Sequence, residues 1–300
     1  MKNSTVRAII CAALGNIIWG FSFLLTKVGL AVAPDPSVML SHRFLISTLV
    51  MGSMILFGKQ KISFKNKNWK PVVLLPLLQV SYYLLETYGV LYTNSTISGL
   101  VLAVVPVVTI GTGALFLREY PTRRQALFCI MPVAGVIIMT LSGKELGVIQ
   151  PIGILFLGLT LLASAFFKTV NRKAAQEFGP FERTFLVLSA SAIFFSALGM
   201  QKVSWDISTY VAPLLQWKYL TVVLCLSLLC SIGANLLVNY ATGILSVFKV
   251  ASFGALSTLC STVAGVVFLH EPMSLPLLLG AALILIGIRQ VSKPNDKKEK

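Results

Sequence analysis

Ten apolar runs divide this chain, and their lengths constrain its fold more than any other feature. They occupy residues 6–30, 37–57, 71–92, 95–117, 125–141, 151–172, 181–200, 215–241, 244–269 and 275–290. A helix needs about 20 apolar residues to cross the hydrocarbon of a bilayer, and the connections between these runs leave no room for a soluble domain. The chain is 56% hydrophobic and only 12% charged, against about 25% charged in an ordinary soluble domain. No single soluble core of 300 residues could hide that much apolar surface. The expected fold is therefore an all-α membrane protein with ten transmembrane helices. The fifth and tenth runs are short enough to tilt little. Only residues 58–70 and the tail from Val291 make linkers of note.

The formal net charge of +15 invites a nucleic-acid partner, and its distribution argues against one. The basic residues fall in short clusters between apolar runs, with neither an RNP-type aromatic motif nor zinc-finger spacing. If alternate connections lie on alternate sides, 19 Lys and Arg gather on the side of the amino terminus. They include Lys59 to Lys70, Arg118, Arg123, Arg124, Lys168, Arg172, Lys173, Arg183 and the tail. Lys144, Lys202 and Lys218 make 3 on the other side. Cytoplasmic connections carry the basic excess, so both termini are expected in the cytoplasm. Five cysteines, all inside apolar runs without a C-x-x-C pair, read as small core residues. The first run lacks a small-residue cleavage site and reads as a retained helix.

The chain also repeats itself. Glu119 is followed sixteen residues later by Gly135, and Glu271 sixteen residues later by Gly287, a shift of 152. Pro36 before the second run matches Pro180 before the seventh, a shift of 144. Two five-helix units follow, 1–145 and 146–292, with a basic cytoplasmic tail at 293–300. Five is odd, so the halves must be inverted across the bilayer. Inverted repeats place their working site near the midplane, between the halves.

The segment Trp19-Gly20-Phe21-Ser22-Phe23, with Lys27 eight residues after the tryptophan, resembles the opening of the drug/metabolite transporter (DMT) superfamily, specifically its EamA-type domains. Arg43, Pro106 and the Glu119 turn continue the resemblance, and Glu271, Gly280 and Gly287 fit the closing helix pair. It covers essentially the whole chain. The resemblance implies ten helices around a central cavity, and families that move amino acids, metabolites, nucleotide sugars or triose phosphates. The second half departs from the first: Thr258 stands where Pro106 would repeat, and Ala163 where Trp19 would. A working site is therefore expected to be asymmetric.

Ionisable groups inside a bilayer cost about 2.5–3.5 kcal/mol each on insertion scales, so each needs a reason. Arg43 and Glu86 lie at matching depths, roughly 9 Å from the outer ends of the second and third runs at ~1.5 Å per residue. An ion pair is geometrically available, as a gate, a substrate or proton site, or a structural pair. Lys249 lies inside the ninth run and Lys27 at the outer end of the first, and either can snorkel to the headgroups. His42 reads as a packed polar residue. Helical spacing puts Gln79, Tyr82, Tyr83 and Glu86 on one face, and Asn16, Trp19, Gly20, Phe23 and Lys27 on another. Ser231, Asn235 and Asn239 step by four, and Lys249, Ser252, Phe253 and Ser257 share a face. Lipid satisfies none of these polar groups, so four inward stripes suggest one wet cavity. Asn16, Trp19, Lys27, Arg43, Gln79, Tyr82, Tyr83, Glu86, Asn235, Asn239 and Lys249 are the candidate substrate-binding or coupling residues. Glu119 and Glu271 read as structural, suited to the N-termini of the fifth and tenth helices.

The chain holds no G-x-x-x-x-G-K-[ST], H-x-x-x-H or G-x-S-x-G, so neither ATP hydrolysis, a metal pair nor a nucleophile elbow is expected. The expectation is a secondary transporter, not an enzyme and without a cofactor. It would export a small organic solute such as an amino acid or metabolite across a bacterial plasma membrane. Its partners would be that solute and the bilayer, with Glu86 as the candidate for proton coupling. An intramembrane enzyme and a non-transporting scaffold are the alternative classes. The sequence is silent on oligomeric state.

Overall fold

The computed structural model describes residues 2–63, 67–68, 70–93, 101–141, 150–269 and 275–292, and these are helical with short connections. In chain order the helices are α1 (Lys2–Leu30), α2 (Pro36–Leu56), α3 (Lys70–Tyr92), α4 (Val105–Leu117), α5 (Arg123–Leu141), α6 (Pro151–Ala174) and α7 (Pro180–Lys202). There follow α8 (Trp217–Ile244), α9 (Val247–Ser252), α10 (Ala255–Leu269) and α11 (Leu275–Ser292). Among the described residues five helices are long and apolar enough to cross a membrane: Asn3–Ser22 within α1, α2, α6, α7 and α8. Val105–Leu117, Val247–Ser261 and Leu278–Ser292 are shorter apolar helices.

Local chemistry sets the helix starts. Pro36, Pro151 and Pro180 open α2, α6 and α7, where a missing N–H costs nothing. Asp35 caps α2 by accepting from Ser37 N at 2.8 Å. Thr122 and Gln125 form a reciprocal cap at α5, the arrangement in which each side chain satisfies the other's backbone N–H. Large apolar side chains stay exposed along the helices: Leu115 and Ile193 each keep 75% of their surface. An aqueous exterior would penalise such a surface and a lipid one accepts it.

Two predicted helices are not continuous. The ninth run breaks at Phe253 and Gly254, where i→i+3 bonds from Phe253 N to Val250 O and from Gly254 N to Ala251 O replace the α pattern. The stripe from Lys249 to Ser257 is therefore two faces, not one. The fourth run breaks at Val104, just before Pro106, which has no N–H to offer. The break falls in the fourth member of each half.

Packing is paired. α3 lies on α6 and α1 on α8; α4 lies on α6 and α1 on α10; α2 packs on α7, α5 on α11 and α4 on α9. Exchanging each helix for the one five runs later turns this pattern into itself. The exchange reaches individual residues at α5 and α11. A Cβ on Gly135 would sit 2.8 Å from Ile284, and one on Gly287 would sit 2.5 Å from Pro132. These two contacts are the same contact shifted by 152 in opposite directions. Both glycines are needed because the helices touch there.

Candidate functional site

α8 organises the polar interior. Residues Leu226–Gly233 form a π-helical stretch, with Ala234 N bonded to Leu229 O five residues back. π-helical turns are wider than α turns and frequent at functional sites. Neighbouring helices hold this stretch through side chains. The Trp19 indole N–H of α1 donates to Cys230 O at 2.9 Å. From α2, Arg43 Nε donates to Ser231 Oγ at 2.6 Å, and Ser227 Oγ returns a bond to Arg43 O at 2.9 Å. Asn235 donates to Ser231 O at 2.7 Å.

Toward the end of the bundle that carries Lys67, Arg118 and Arg172, here the basic end, α1, α6 and α8 enclose a cavity of about 30 Å³. Trp19, Phe167, Lys168, Asn171, Asn235 and Asn239 line it. That volume holds a water and excludes an organic solute. The two deeper amides are committed elsewhere. Arg183, 1% exposed, donates to Asn171 Oδ1 at 2.6 Å and to Asn239 O at 2.7 Å. Asn171 donates to Asn239 Oδ1 at 2.7 Å, and Asn239 to Thr184 Oγ1 at 2.7 Å.

Two ion pairs close the basic end, and both join the first half of the chain to the second. Glu119 accepts from Arg172 Nε at 2.8 Å and from Val247 N at 2.7 Å, while Arg172 Nη1 reaches Thr242 O at 2.9 Å. Lys67 Nζ meets Glu182 at 3.0 Å, and Glu182 also accepts from Ser63 N and Gly179 N. The opposite end is closed by neutral groups. Ser41 hydrogen-bonds Tyr210, His42 Nδ1 lies 3.0 Å from the Tyr219 hydroxyl, and the Tyr210 ring stands edge-on 4.7 Å from His42. Tyr210 sits on a short helix, Ile207–Val211, between α7 and α8. Asp206 caps that helix through Ser208 and Thr209, whose hydroxyls and amides hold its carboxyl down to about 2.

Seven of the predicted site residues form two groups, and the others stand apart. Trp19, Asn235 and Asn239 come together around the cavity. Gln79, Tyr82, Tyr83 and Glu86 stay together, half-buried on α3, with the Tyr82 hydroxyl donating to Glu86 at 2.9 Å and Tyr83 packed on Phe44 and Phe195. Asn16 turns back on its own helix, donating to Ala12 O at 2.7 Å. Lys249 does not snorkel; it is 6% exposed near the start of α9. The Lys27 side chain and Glu271 lie outside the described residues.

Arg43 and Glu86 do not form the ion pair that their matching depths allow. The pairs among the described residues are those of Glu119 and Glu182, and Arg43 is drawn instead to the π stretch of α8. Equal depth fixes only one of the two coordinates that a contact needs. Glu119, expected at the N-terminus of the helix that follows it, instead accepts from Val247 N at the start of α9. Lys168 and Arg183, counted only among the charges on the side of the amino terminus, line the cavity and sit buried in the bundle, respectively. The signal was their place inside the runs 151–172 and 181–200.

Residues 6–141 and 151–292 each match the EamA-like transporter family. The chain is 30% identical over 304 residues to a Bacillus subtilis (strain 168) protein named Uncharacterized transporter YcxC, covering 100% of this chain and 97% of that one. It is 27% identical over 294 residues to Uncharacterized transporter YvbV of the same organism, covering 98% and 94%. A crystal structure superposes with a TM-score of 0.76 at 18% identity, over 94% of this chain and 95% of the other, and shows the same fold. With apolar helices throughout and both halves matched, the protein is a multi-pass membrane transporter that belongs to the EamA-like transporter family of the DMT superfamily.

Proposed function

We propose that the protein is a secondary transporter that carries a small organic solute by alternating access between two inverted five-helix halves. Ten spans, both termini in the cytoplasm and a bacterial plasma membrane complete the reading, with export as the direction. The observation that carries it is a small cavity where the halves meet, apolar for the most part but holding Lys168 and three amides, with a separate set of cross-half contacts toward each end. A carrier must open one set while keeping the other. Trp19, Asn235 and Lys168 would meet the solute on one side of the π stretch. Arg43 and the α3 face of Gln79, Tyr82, Tyr83 and Glu86 would meet it on the other, with Glu86 as the candidate proton carrier.

The test is an untargeted comparison of metabolites inside and outside cells that overexpress or lack the protein. Flux of the affected compounds in reconstituted vesicles follows. A difference in cells matched by flux in vesicles supports transport, and Glu86→Gln at normal membrane levels should slow that flux. No difference and no flux would overturn the reading in favour of a scaffold. Cysteines placed at Lys65 and Lys144, with the five native ones removed, should label from opposite sides of the membrane. Labelling from one side would remove the inverted halves.

A further inference from the structure

The cavity between α1, α6, α8 and α9 is walled largely by apolar groups, and its few hydrogen-bonding groups are not equally free. Asn171 and Asn239 are tied to each other, to Arg183 and to Thr184. The Trp19 indole N–H is taken by Cys230 O. Asn235 has given one amide hydrogen to Ser231 O, which leaves its carbonyl oxygen and a second hydrogen. Lys168 is different in kind. Its ammonium, partly buried in the cavity wall, has neither a carboxylate nor a hydrogen-bond acceptor beside it among the described residues.

A cation within a helix bundle is costly to desolvate and is ordinarily paired. The carboxylates of the basic end do not supply a partner: Glu119 is committed to Arg172 and to Val247 N, and Glu182 to Lys67, Ser63 N and Gly179 N. Lys168 stands six residues before the end of α6, roughly 9 Å inside it at ~1.5 Å per residue, behind the Glu119–Arg172 pair.

We infer that Lys168 is the anion subsite of the transported solute, so the solute carries an anionic oxo group, a carboxylate or phosphate, held by Lys168 beside the Asn235 amide. This rests on the transporter reading of the same cavity. The ammonium offers up to three donors to the anion. Asn235, one helix away, supplies an acceptor for a hydroxyl or ammonium on the same molecule, and the Trp19 ring forms an apolar wall. When the solute leaves, the cavity shrinks to its 30 Å³ and Lys168 keeps at most water.

The experiment uses the full chain, purified in detergent, and ligand pairs that differ only in the anionic group: lactate with lactamide, N-acetyl-L-leucine with N-acetyl-L-leucinamide, and glycerol 3-phosphate with glycerol. Thermal unfolding is read with each ligand against sodium chloride of equal ionic strength. At least one anionic member should raise the midpoint while its neutral partner does not. A carboxylate response separates from a phosphate response by pair. Lys168→Gln should weaken the response on the order of 10- to 100-fold in ligand concentration, as expected for a lost charge-assisted bond. Lys168→Arg should restore part of it, and both variants are compared at equal monodispersity so that misfolding is not read as lost binding.

The assignment is overturned if no anionic member stabilises the wild type, if neutral partners stabilise equally, or if Lys168→Gln keeps the response. Flux of the stabilising ligand in vesicles keeps the two readings apart. Binding that depends on Lys168 without flux would sink transport and leave the subsite standing. Flux of a neutral solute, unaffected by Lys168→Gln, would do the reverse.

Discussion

The two ends of the bundle close by different chemistry. At the basic end, carboxylates of Glu119 and Glu182 each join a cation and backbone N–H groups across the halves. At the opposite end Ser41, His42, Tyr210 and Tyr219 use hydroxyls, an imidazole and ring edges. Charged pairs that separate into water are rehydrated and lose little. Buried neutral groups that part without finding water leave unsatisfied atoms, at about 1–3 kcal/mol each. In the alternating-access reading proposed above, the basic end would act as a latch that releases into solvent and responds to salt. The opposite end depends on fit and is insensitive to it.

The largest effect expected from breaking this comparison lies beneath the latch. Arg183→Ala strips the donor from Asn171, Asn239 and Phe178 together. It should destabilise the protein by about 3 kcal/mol or more, read as a lower unfolding midpoint in detergent. A wild-type midpoint would show that water replaces the guanidinium there.

Next is Glu119→Ala, which frees Arg172 and the α9 N-terminus at a cost of about 2 kcal/mol. A cysteine at Asn235 should then label faster from the basic end. In the wild-type background, salt at about 1 M, where the Debye length is about 3 Å, should produce part of the same increase. Salt without effect would contradict an electrostatic latch.

At the other end Tyr210→Phe removes one hydroxyl from Ser41 and should cost about 1 kcal/mol, with no dependence on salt. A salt-dependent loss would erase the contrast between the ends.

The smallest effect concerns Asp206. Its folded carboxyl titrates at about 2, against an ordinary 3.8. Its contribution is therefore present above the ordinary value and lost as pH falls through the folded one. Amide exchange at Ser208 and Thr209 should accelerate between about pH 4 and pH 2. In Asp206→Asn it should already be fast at neutral pH and stay unchanged on acidification.

Much of this contrast was legible in the sequence and part was not, for physical reasons. Run length located the helices because lipid demands a minimum span, and the spacing of Glu119–Gly135 and Glu271–Gly287 announced a repeat that the Gly135–Ile284 and Gly287–Pro132 contacts complete in space. Stripes on α3 and α8 pointed inward as periodicity required. Periodicity gives the face of a helix but not the neighbour that the face meets, so Arg43 was matched with Glu86 and found on Ser231. Counting charges by side passed over Lys168 and Arg183 as site residues, because a cation near a helix end looks the same in sequence whether it faces solvent or the bundle. Nothing in the composition of residues 226–233 separates a π turn from an α turn, since both suit an unbroken apolar run.

That π stretch has a genetic consequence. A helix advances about 100° per residue, and a wider turn is in effect an α-helix carrying one residue too many. Removing a single residue there, Leu228 for example, would let α8 relax to regular α geometry without shortening its hydrogen-bonded length. Because the wide turn absorbs that residue locally, the helix on either side of the deletion keeps nearly its present phase. What is lost is the wide turn itself, and with it the local geometry that seats Arg43 on Ser231 Oγ. A frame-preserving loss of three nucleotides would thus leave helix content, membrane insertion and the Asn235 face intact while removing the seat of Arg43, whereas substitution of Leu228 by another apolar residue would leave that seat in place.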